Sequence, residues 1–355
     1  MNFEKAKKFI EESERPLVIY HIDSDGICSA VLMLKYLKFF EKSASLIPSS
    51  PQKMMQRSFY KGLPESDLII IVDIPADEFE DKINEYLEGK KIIIFDHHKI
   101  TKDMNSENIV HFHPTFFGIE KYCPASKLIF DVLSKFDERI KEFDWIACIG
   151  IIGDSGAEEW REFIERTLIR CRYSKGREGP KYDTVLGEIE RMIGSARSHS
   201  GERGAEYAIE VLLNSKDIED FLKKSKKLKK WKEEVEMYIE DMEIEFHMRK
   251  EYFKELGLAF FEMEKPKYRI GSPLATILSK KYPHLTIVII VKKDKIALVN
   301  MRRGDGKVDV AELVKKALKG IENSSGGGHR NAAGAQLPSE YINEFKENII
   351  QILSK

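Results

Sequence analysis

The sequence predicts an α/β protein: an N-terminal domain built on a parallel sheet, a charged helical connector, and a smaller C-terminal α/β domain. Three observations predict it. Short apolar runs alternate with amphipathic stretches through the first 155 residues, the pattern turns helical and strongly charged from about 157 to 250, and strand-like runs resume from about 256. Alternation of that kind marks parallel strands covered by helices. The domain boundaries read as 1–156, 157–254 and 255–355.

In the first domain PLVIYH leads into ICSAVLMLKYLKFF, then DLIIIVDI, a charged helix-like stretch, and KKIIIFDHH. The runs from Leu68 to Val72 and from Ile92 to Phe95 are continuously apolar and rich in β-branched residues, as expected of strands buried on both faces. Each ends in acids or histidines, and open α/β sheets build their sites at the carboxyl ends of strands. Gly/Ser breaks at SKGREGP and GSARSHSGERG punctuate the connector. In the third domain LGLAFFEME, LTIVIIVKKD and KIALVNMRR read as strands, and VDVAELVKKALK and YINEFKENIIQILSK as helices.

Composition narrows the function classes. With 355 residues, 42% hydrophobic and 10% aromatic, the chain can bury two cores. No apolar run reaches the roughly 18 residues of a membrane helix, and MNFEKAKKFIEESE lacks the apolar core of a signal peptide. A cytoplasmic protein without a membrane partner is the expectation. Cys28, Cys123, Cys148 and Cys171 form no CxxC pair and read as reduced core thiols. A net charge of −1 gives no global attraction to nucleic acid, so such binding would need a local basic surface. The charged fraction of 33% resembles a heat-adapted protein.

The chemistry-bearing residues gather at element ends. His21-Ile22-Asp23-Ser24-Asp25-Gly26 follows the first strand and places three hard-metal donors within five residues. Taken alone, this turn reads equally well as a helix cap in which Asp25 satisfies the first free amides. The second buried run ends at Asp73, the third at Asp96-His97-His98, and the apolar run WIACIGIIGDSG delivers Asp154. Adjacent charged groups at the rim of an apolar core are costly without a ligand. Mixed carboxylate and imidazole donors suit Mn²⁺ or a similar divalent ion, and so many carboxylates can bridge two ions about 3.5–4 Å apart.

HIDSDG, the Asp73 of IVDIP, DHHK and GDSG resemble motifs one to four of the DHH superfamily of phosphoesterases. Ser325-Gly326-Gly327-Gly328-His329-Arg330-Asn331-Ala332-Ala333-Gly334 resembles the GGGH motif of the associated DHHA1 domain. The resemblance implies that His21, Asp23 and Asp73 hold one Mn²⁺ and that Asp25, Asp73, His97 and Asp154 hold a second, with Mg²⁺ or Co²⁺ as substitutes. Asp73 would bridge them. It further implies that Asp96 orients a ligand histidine and that His98 contacts the phosphate or assists the leaving oxygen. In the second domain, Gly326, Gly327 and Gly328 would let backbone amides approach a phosphate, with His329 and Arg302 adding charged contacts. Arg303, beside Arg302 in VNMRRG, is the competing arginine.

The central insertion and SARSHSGERGAEYAIEVLLNS look like the compact archaeal RecJ-like single-strand exonucleases. Trimming of single-stranded DNA or RNA to mononucleotides, 3′-to-5′, is therefore expected, in company with replication or repair proteins; a homo-oligomer is compatible. The alternatives are a nano-oligoribonuclease or 3′-phosphoadenosine 5′-phosphate phosphatase, and a non-catalytic replisome protein. The GGGH motif argues against pyrophosphatases of the superfamily, and the lack of a sensor domain against cyclic-dinucleotide enzymes. His111 and His113 in HFHP read as structural, and His199, His247 and His284 carry no assigned role. The run Lys223, Lys224, Lys226, Lys227, Lys229, Lys230 and Lys232 around Trp231 reads first as a solvated helix with paired charges, and second as a phosphate track with a stacking tryptophan.

Overall fold

The computed structural model describes residues 2–177 and 183–354, which divide into two compact units at Lys232–Glu233. In the first unit, five parallel strands are arranged in the order β2-β1-β3-β4-β5: β1 (Pro16–His21), β2 (Ser45–Ser49), β3 (Leu68–Val72), β4 (Lys91–Phe95) and β5 (Ile109–Phe112). Alternate residues of a strand face opposite sides. Val18, Tyr20, Ile70, Val72, Ile93, Phe95, Val110 and Phe112 therefore join one core, while Leu17, Ile19, Ile69, Ile71, Ile92 and Ile94 join another on the reverse face. Burial on both faces is the reason these runs carry no polar alternation.

The stretch 157–254, set apart in the sequence as a connector, is divided by the packing. Its helices Arg161–Arg170, Val185–Ser200 and Glu202–Leu213 bury Ile164, Leu168, Leu186, Ile189, Ile193, Ala205, Ile209 and Leu212 in the first unit's main core. The apolar spacing of three and four that makes this possible was present in the sequence but masked by charge. The part of 157–254 beyond Lys232 belongs to the second unit. Cys28, Cys123 and Cys148 are buried and Cys171 half-buried, all as free thiols.

In the second unit a mixed six-stranded sheet runs β10-β11-β9-β8-β7-β6, from β6 (Glu251–Phe253), β7 (Leu258–Glu264), β8 (Thr286–Lys292), β9 (Ile296–Arg302), β10 (Ser325–His329) and β11 (Ala332–Pro338). Helices Val310–Ala317 and Ile342–Leu353 cover one face, and Gly271–Lys281 the other. The glycine run is thus an edge strand, antiparallel to β11, and not a linker. Among the described residues no helix is long and apolar enough to cross a membrane.

Close helix packing explains the glycines of WIACIGIIG. A Cβ on Gly150 would lie 2.3 Å from Ser126 Oγ and 2.8 Å from Asp25 Oδ1, and one on Gly153 would lie 2.5 Å from Ser24 Cβ. The helix Asp144–Gly153 therefore touches both Ser24–Lys38 and the start of Ala125–Phe136. Helix propensity alone favours alanine over glycine by about 1 kcal/mol. Gly150→Ala should nevertheless lower stability by roughly 1–3 kcal/mol through overpacking, read from urea unfolding. A raised midpoint would show that the three helices can part without cost.

Candidate metal centre

Strands β1, β3 and β4 are neighbours, so His21, Asp73 and the Asp96-His97-His98 segment emerge side by side from one end of the sheet, about 4.8 Å per strand. Each donor is then aimed by a local device. Asp23 is the N-cap of the helix Ser24–Lys38: Oδ1 accepts from the Gly26 amide at 3.0 Å, leaving Oδ2 2.8 Å from His21 Nδ1. Asp23, not Asp25, caps this turn. Gly26 is required there because a Cβ would stand 2.2 Å from the His21 carbonyl oxygen. Asp25 turns inward, 1% exposed, and accepts from the Ala125 and Ser126 amides at 2.7 and 3.0 Å, at the start of the helix Ala125–Phe136. Free amides at a helix N-terminus suit a carboxylate.

Asp73 has φ +59, a left-handed conformation that aspartate tolerates better than most residues. That twist turns its carboxylate across the strand ends: Oδ2 lies 3.5 Å from His21 Nδ1 and Oδ1 3.2 Å from His97 Nε2. Asp154 closes the far side. It is the C-cap of Asp144–Gly153, and Ser155, left-handed at φ +63, directs its amide to Ile152 O while Gly156 N bonds Ile151 O. This pair of bonds is a Schellman closure. It places Asp154 Oδ2 3.4 Å from His97 Nε2, and the Tyr122 hydroxyl donates to the same oxygen. Tyr122, in a loop with no recognisable motif, is a contributor the sequence reading missed; the Trp160 indole N–H bonds its carbonyl at 2.8 Å.

Two donor groups result, His21/Asp23/Asp73 and Asp25/His97/Asp154, and Asp73, His97 and His98 form a third cluster between them. Donors bound at about 2.0–2.2 Å around one ion sit about 3–3.6 Å apart. The 2.8–3.5 Å spacings of the first group match that, as do the 3.2 and 3.4 Å spacings around His97 Nε2. Asp25 Oδ2 is 4.0 Å from the same nitrogen, one bond adjustment away. Asp73 Oδ2 is buried with no hydrogen-bond donor among the described residues. Such a carboxylate oxygen fits a cation better than it fits a bare protein interior.

The Asp96 carboxylate is not paired with His97, one of the histidines expected to hold a metal. It pairs with His98, Asp96 Oδ1 lying 2.7 Å from Nδ1, and His97 Nδ1 has no partner among the described residues. Residues 96 and 98 lie two apart, as on one side of an extended segment, with His97 opposite. His113 Nε2 in turn bonds the His98 carbonyl at 2.7 Å, and His111 packs against Phe116; neither belongs to a donor group. In the second unit, Arg303 is buried against Asp305, Nε to Oδ1 at 2.7 Å. Among the described residues Arg302 instead bonds only neutral groups: Ser272 Oγ at 2.9 Å, Thr276 Oγ1 at 3.3 Å, and the carbonyls of Met301 and Ala333. Of the glycines, Gly326 and Gly328 are demanded by the fold, their Cβ atoms meeting Leu318 and Val314 at 2.7 Å and Ala332 O at 2.4 Å. Gly327 meets nothing within 4 Å.

The crowding shows in the acid–base chemistry. Burial disfavours charge on His21, but Asp23 and Asp73 outweigh it and push the imidazole up to about 10. Burial and the Asp25 carboxylate push Asp154 up to about 8. Burial and then Asp23 hold Asp73 well above the carboxylate range. Burial opposes ionisation of Asp96 and of His98, yet their mutual hydrogen bond prevails, lowering the acid and raising the base. His21 and Asp154 thus keep protons in the folded chain at pH values where the unfolded chain has released them. Between pH 6.5 and about 10 for His21, and from 3.8 to about 8 for Asp154, the folded state binds more protons, so stability falls as pH rises. The chelator-treated protein should therefore melt at progressively lower temperature from pH 6.5 to 9.5, and Mn²⁺ should flatten that decline by displacing the protons. Parallel melting curves with and without Mn²⁺ across this range would refute the donor set.

Comparison with known proteins agrees with this architecture. Residues 16–151 match the family model described as DHH family, N-terminal domain, and residues 264–355 match the DHHA1 domain. The uncharacterized protein MJ0831 of Methanocaldococcus jannaschii is 25% identical over 185 residues, covering 50% of this chain and 42% of that protein. RecJ from Thermus thermophilus in complex with Mn²⁺ superposes with a TM-score of 0.74 at 17% identity, over 99% of this chain and 55% of that one. An exonuclease RecJ bound to manganese gives 0.73 at 18% identity, over 100% and 95%. The chain thus spans about half the length of the first two. Both family models fall on the sheet-bearing parts of the two units described above, and the chain belongs to the DHH superfamily, with a DHHA1 domain following its DHH domain.

Proposed function

We propose that the chain is a divalent-metal-dependent phosphoesterase that trims single-stranded DNA or RNA from an end. The observation that carries the reading is Asp73, whose two oxygens face two different donor groups, the geometry a carboxylate needs to serve two cations at once. His21, Asp23 and Asp73 would hold one ion, and Asp25, Asp73, His97 and Asp154 the other. Carboxylates mixed with imidazoles suit Mn²⁺, and Mg²⁺ or Co²⁺ are compatible. Two such ions supply positive charge to the phosphate oxygens and bring a water's pKa towards neutrality. The known structures of RecJ with Mn²⁺ support the choice of ion and of nucleic acid as substrate.

The chain's own groups do the rest. Two helix amides fix Asp25, and the Tyr122 hydroxyl fixes Asp154, so neither carboxylate has to reorganise. Asp96 holds Nδ1 of His98 and leaves Nε2 for substrate; because the pair raises the imidazole's basicity, His98 is the group to donate a proton to a phosphate or leaving oxygen. In the second unit we assign phosphate contact to Arg302, which no acid among the described residues pairs, to His329, and to the β10 edge of Gly326, Gly327 and Gly328. Gly327 has room for a close backbone approach there.

The reading is tested with end-labelled single strands of about 20 nucleotides, DNA and RNA, beside a dinucleotide and 3′-phosphoadenosine 5′-phosphate, with Mn²⁺ and with chelator. Mn²⁺-dependent ladders are expected, and strands blocked at one end report the polarity, 3′-to-5′ being the expectation. Cleavage of the two short substrates alone would reassign the protein to oligonucleotide recycling. Asp73→Asn keeps a residue at ease with positive φ and should abolish hydrolysis by at least about a hundredfold, more than is lost with a supporting partner. In chelator it should melt no lower than the wild type, since it removes a buried, repelled carboxylate. Full activity in Asp73→Asn would overturn the assignment.

A further inference from the structure

The lysine-rich segment and His199 have no part in the metal centre, yet they meet in the first unit. Lys223 and Lys224 pair with Glu219 and Asp220 at 2.7 Å along one helix, and Lys232 reaches Glu188 at 2.6 Å, so part of the run is solvated or paired surface. Around Trp231 the arrangement differs. His199 stacks on the indole, ring centroids 4.9 Å apart and planes 20° from parallel, and Tyr207 meets it edge-on at 5.5 Å. Lys227 Nζ lies 4.4 Å from the Tyr207 ring and 4.6 Å from the Trp231 ring. Beside them opens a cavity of about 400 Å³ lined by Ser200, Arg203, Glu206, Tyr207, Lys227 and Trp231, within the size range of small-ligand sites.

The lining identifies the ligand by chemistry. Trp231 and Tyr207 line it with their rings, one face of the indole being covered by His199. Arg203 and Lys227 are balanced by Glu206 and Glu210, so the pocket is neither an anion trap nor a cation cage. Arg203, Glu206 and Glu210 make no ion pair among the described residues, which leaves them available to a ligand with both donors and acceptors on a planar ring. A nucleobase is such a ligand: it stacks on indole and phenol, its amino groups donate to carboxylates, and its phosphate takes the exposed cations.

Position supports the same ligand. The helix Val185–Ser200 carries Glu190, which accepts from Ser24 Oγ at 3.1 Å in the turn of the metal centre, and ten residues later ends at Ser200 on the pocket wall. That is about 15 Å of helix, a reach that a strand bound at the metal centre can span but one nucleotide cannot. Resting on the reading of the chain as a nucleic-acid phosphoesterase, we infer that the Trp231–Tyr207–Arg203 pocket is a second, distal subsite that holds an unpaired base of the strand away from the bond being cut.

The test is binding of a fluorescein-labelled single strand of about 20 nucleotides to the whole protein in chelator, read by anisotropy. Trp231→Ala should weaken binding about tenfold, the loss expected for one stacked base, and Trp231→Phe should recover most of it. Arg203→Ala, at an exposed position, should weaken binding and reduce its salt dependence; it serves as the independent probe if Trp231→Ala does not fold. Wild-type affinity in both Trp231→Ala and Arg203→Ala, or no strand binding by the wild type, would overturn the subsite. Strand binding that depends on Trp231 without any Mn²⁺-dependent cleavage would retain the subsite and sink the hydrolase reading. Cleavage with binding indifferent to Trp231 and Arg203 would do the reverse.

Discussion

Mutual repulsion among carboxylates governs the first unit. Asp23, Asp25, Asp73 and Asp154 converge on two histidines within a few ångströms, in a setting where burial already disfavours charge. Burial first, and then the resistance of like charges at such separations to ionising together, holds Asp73 and Asp154 above the carboxylate range. A fold that holds such a group must draw its stability from elsewhere. Here it comes from a sheet sealed on both faces and from three helices in contact close enough to require glycine at 150 and 153.

Each donor is fixed by a different element of ordinary protein architecture. One is a helix N-cap, one accepts the amides of another helix, one sits at a strand end in left-handed backbone, and one completes a helix C-cap. The helix Ser24–Lys38 carries two of them, Asp23 at its cap and Asp25 in its first turn, while Asp73 and Asp154 come from a strand end and another helix, so the group is complete only when the sheet and its helices are assembled. In the second unit the division of labour is plainer. Two neighbouring arginines differ in their partners: Arg303 is paired with Asp305 and belongs to the fold, while Arg302 bonds only neutral groups among the described residues.

Much of this was legible in the sequence because buried parallel strands leave a distinctive record, four or five apolar residues closed by a polar cluster, and because donors at strand ends fall in recognisable spacings. The order of the strands was not legible, since a run such as LIIIV says nothing of its neighbours. One pairing differs from the expectation that Asp96 orients a metal-holding histidine: Asp96 holds His98, the residue expected at the phosphate, a matter of side-chain direction that spacing does not reveal. Tyr122 was missed because a tyrosine in a loop carries no signal until Asp154 is placed beside it. The β10 strand was hidden because SGGGH has no apolar alternation to mark it. The helices from 161 to 213 were set apart because their charge drew the eye from their buried stripes.

Asp23 has a double attachment whose effect reaches beyond the centre. One oxygen secures the Gly26 amide and so starts a helix of 15 residues; the other faces His21 in a donor group. A cation drawn to the second oxygen would steady the first, and the opening turn of that helix would fray less. The Gly26 amide would then be a gauge of site filling: its hydrogen-exchange rate would report, at one backbone position and without any substrate, how firmly the strand ends are tied to the helix that leaves them.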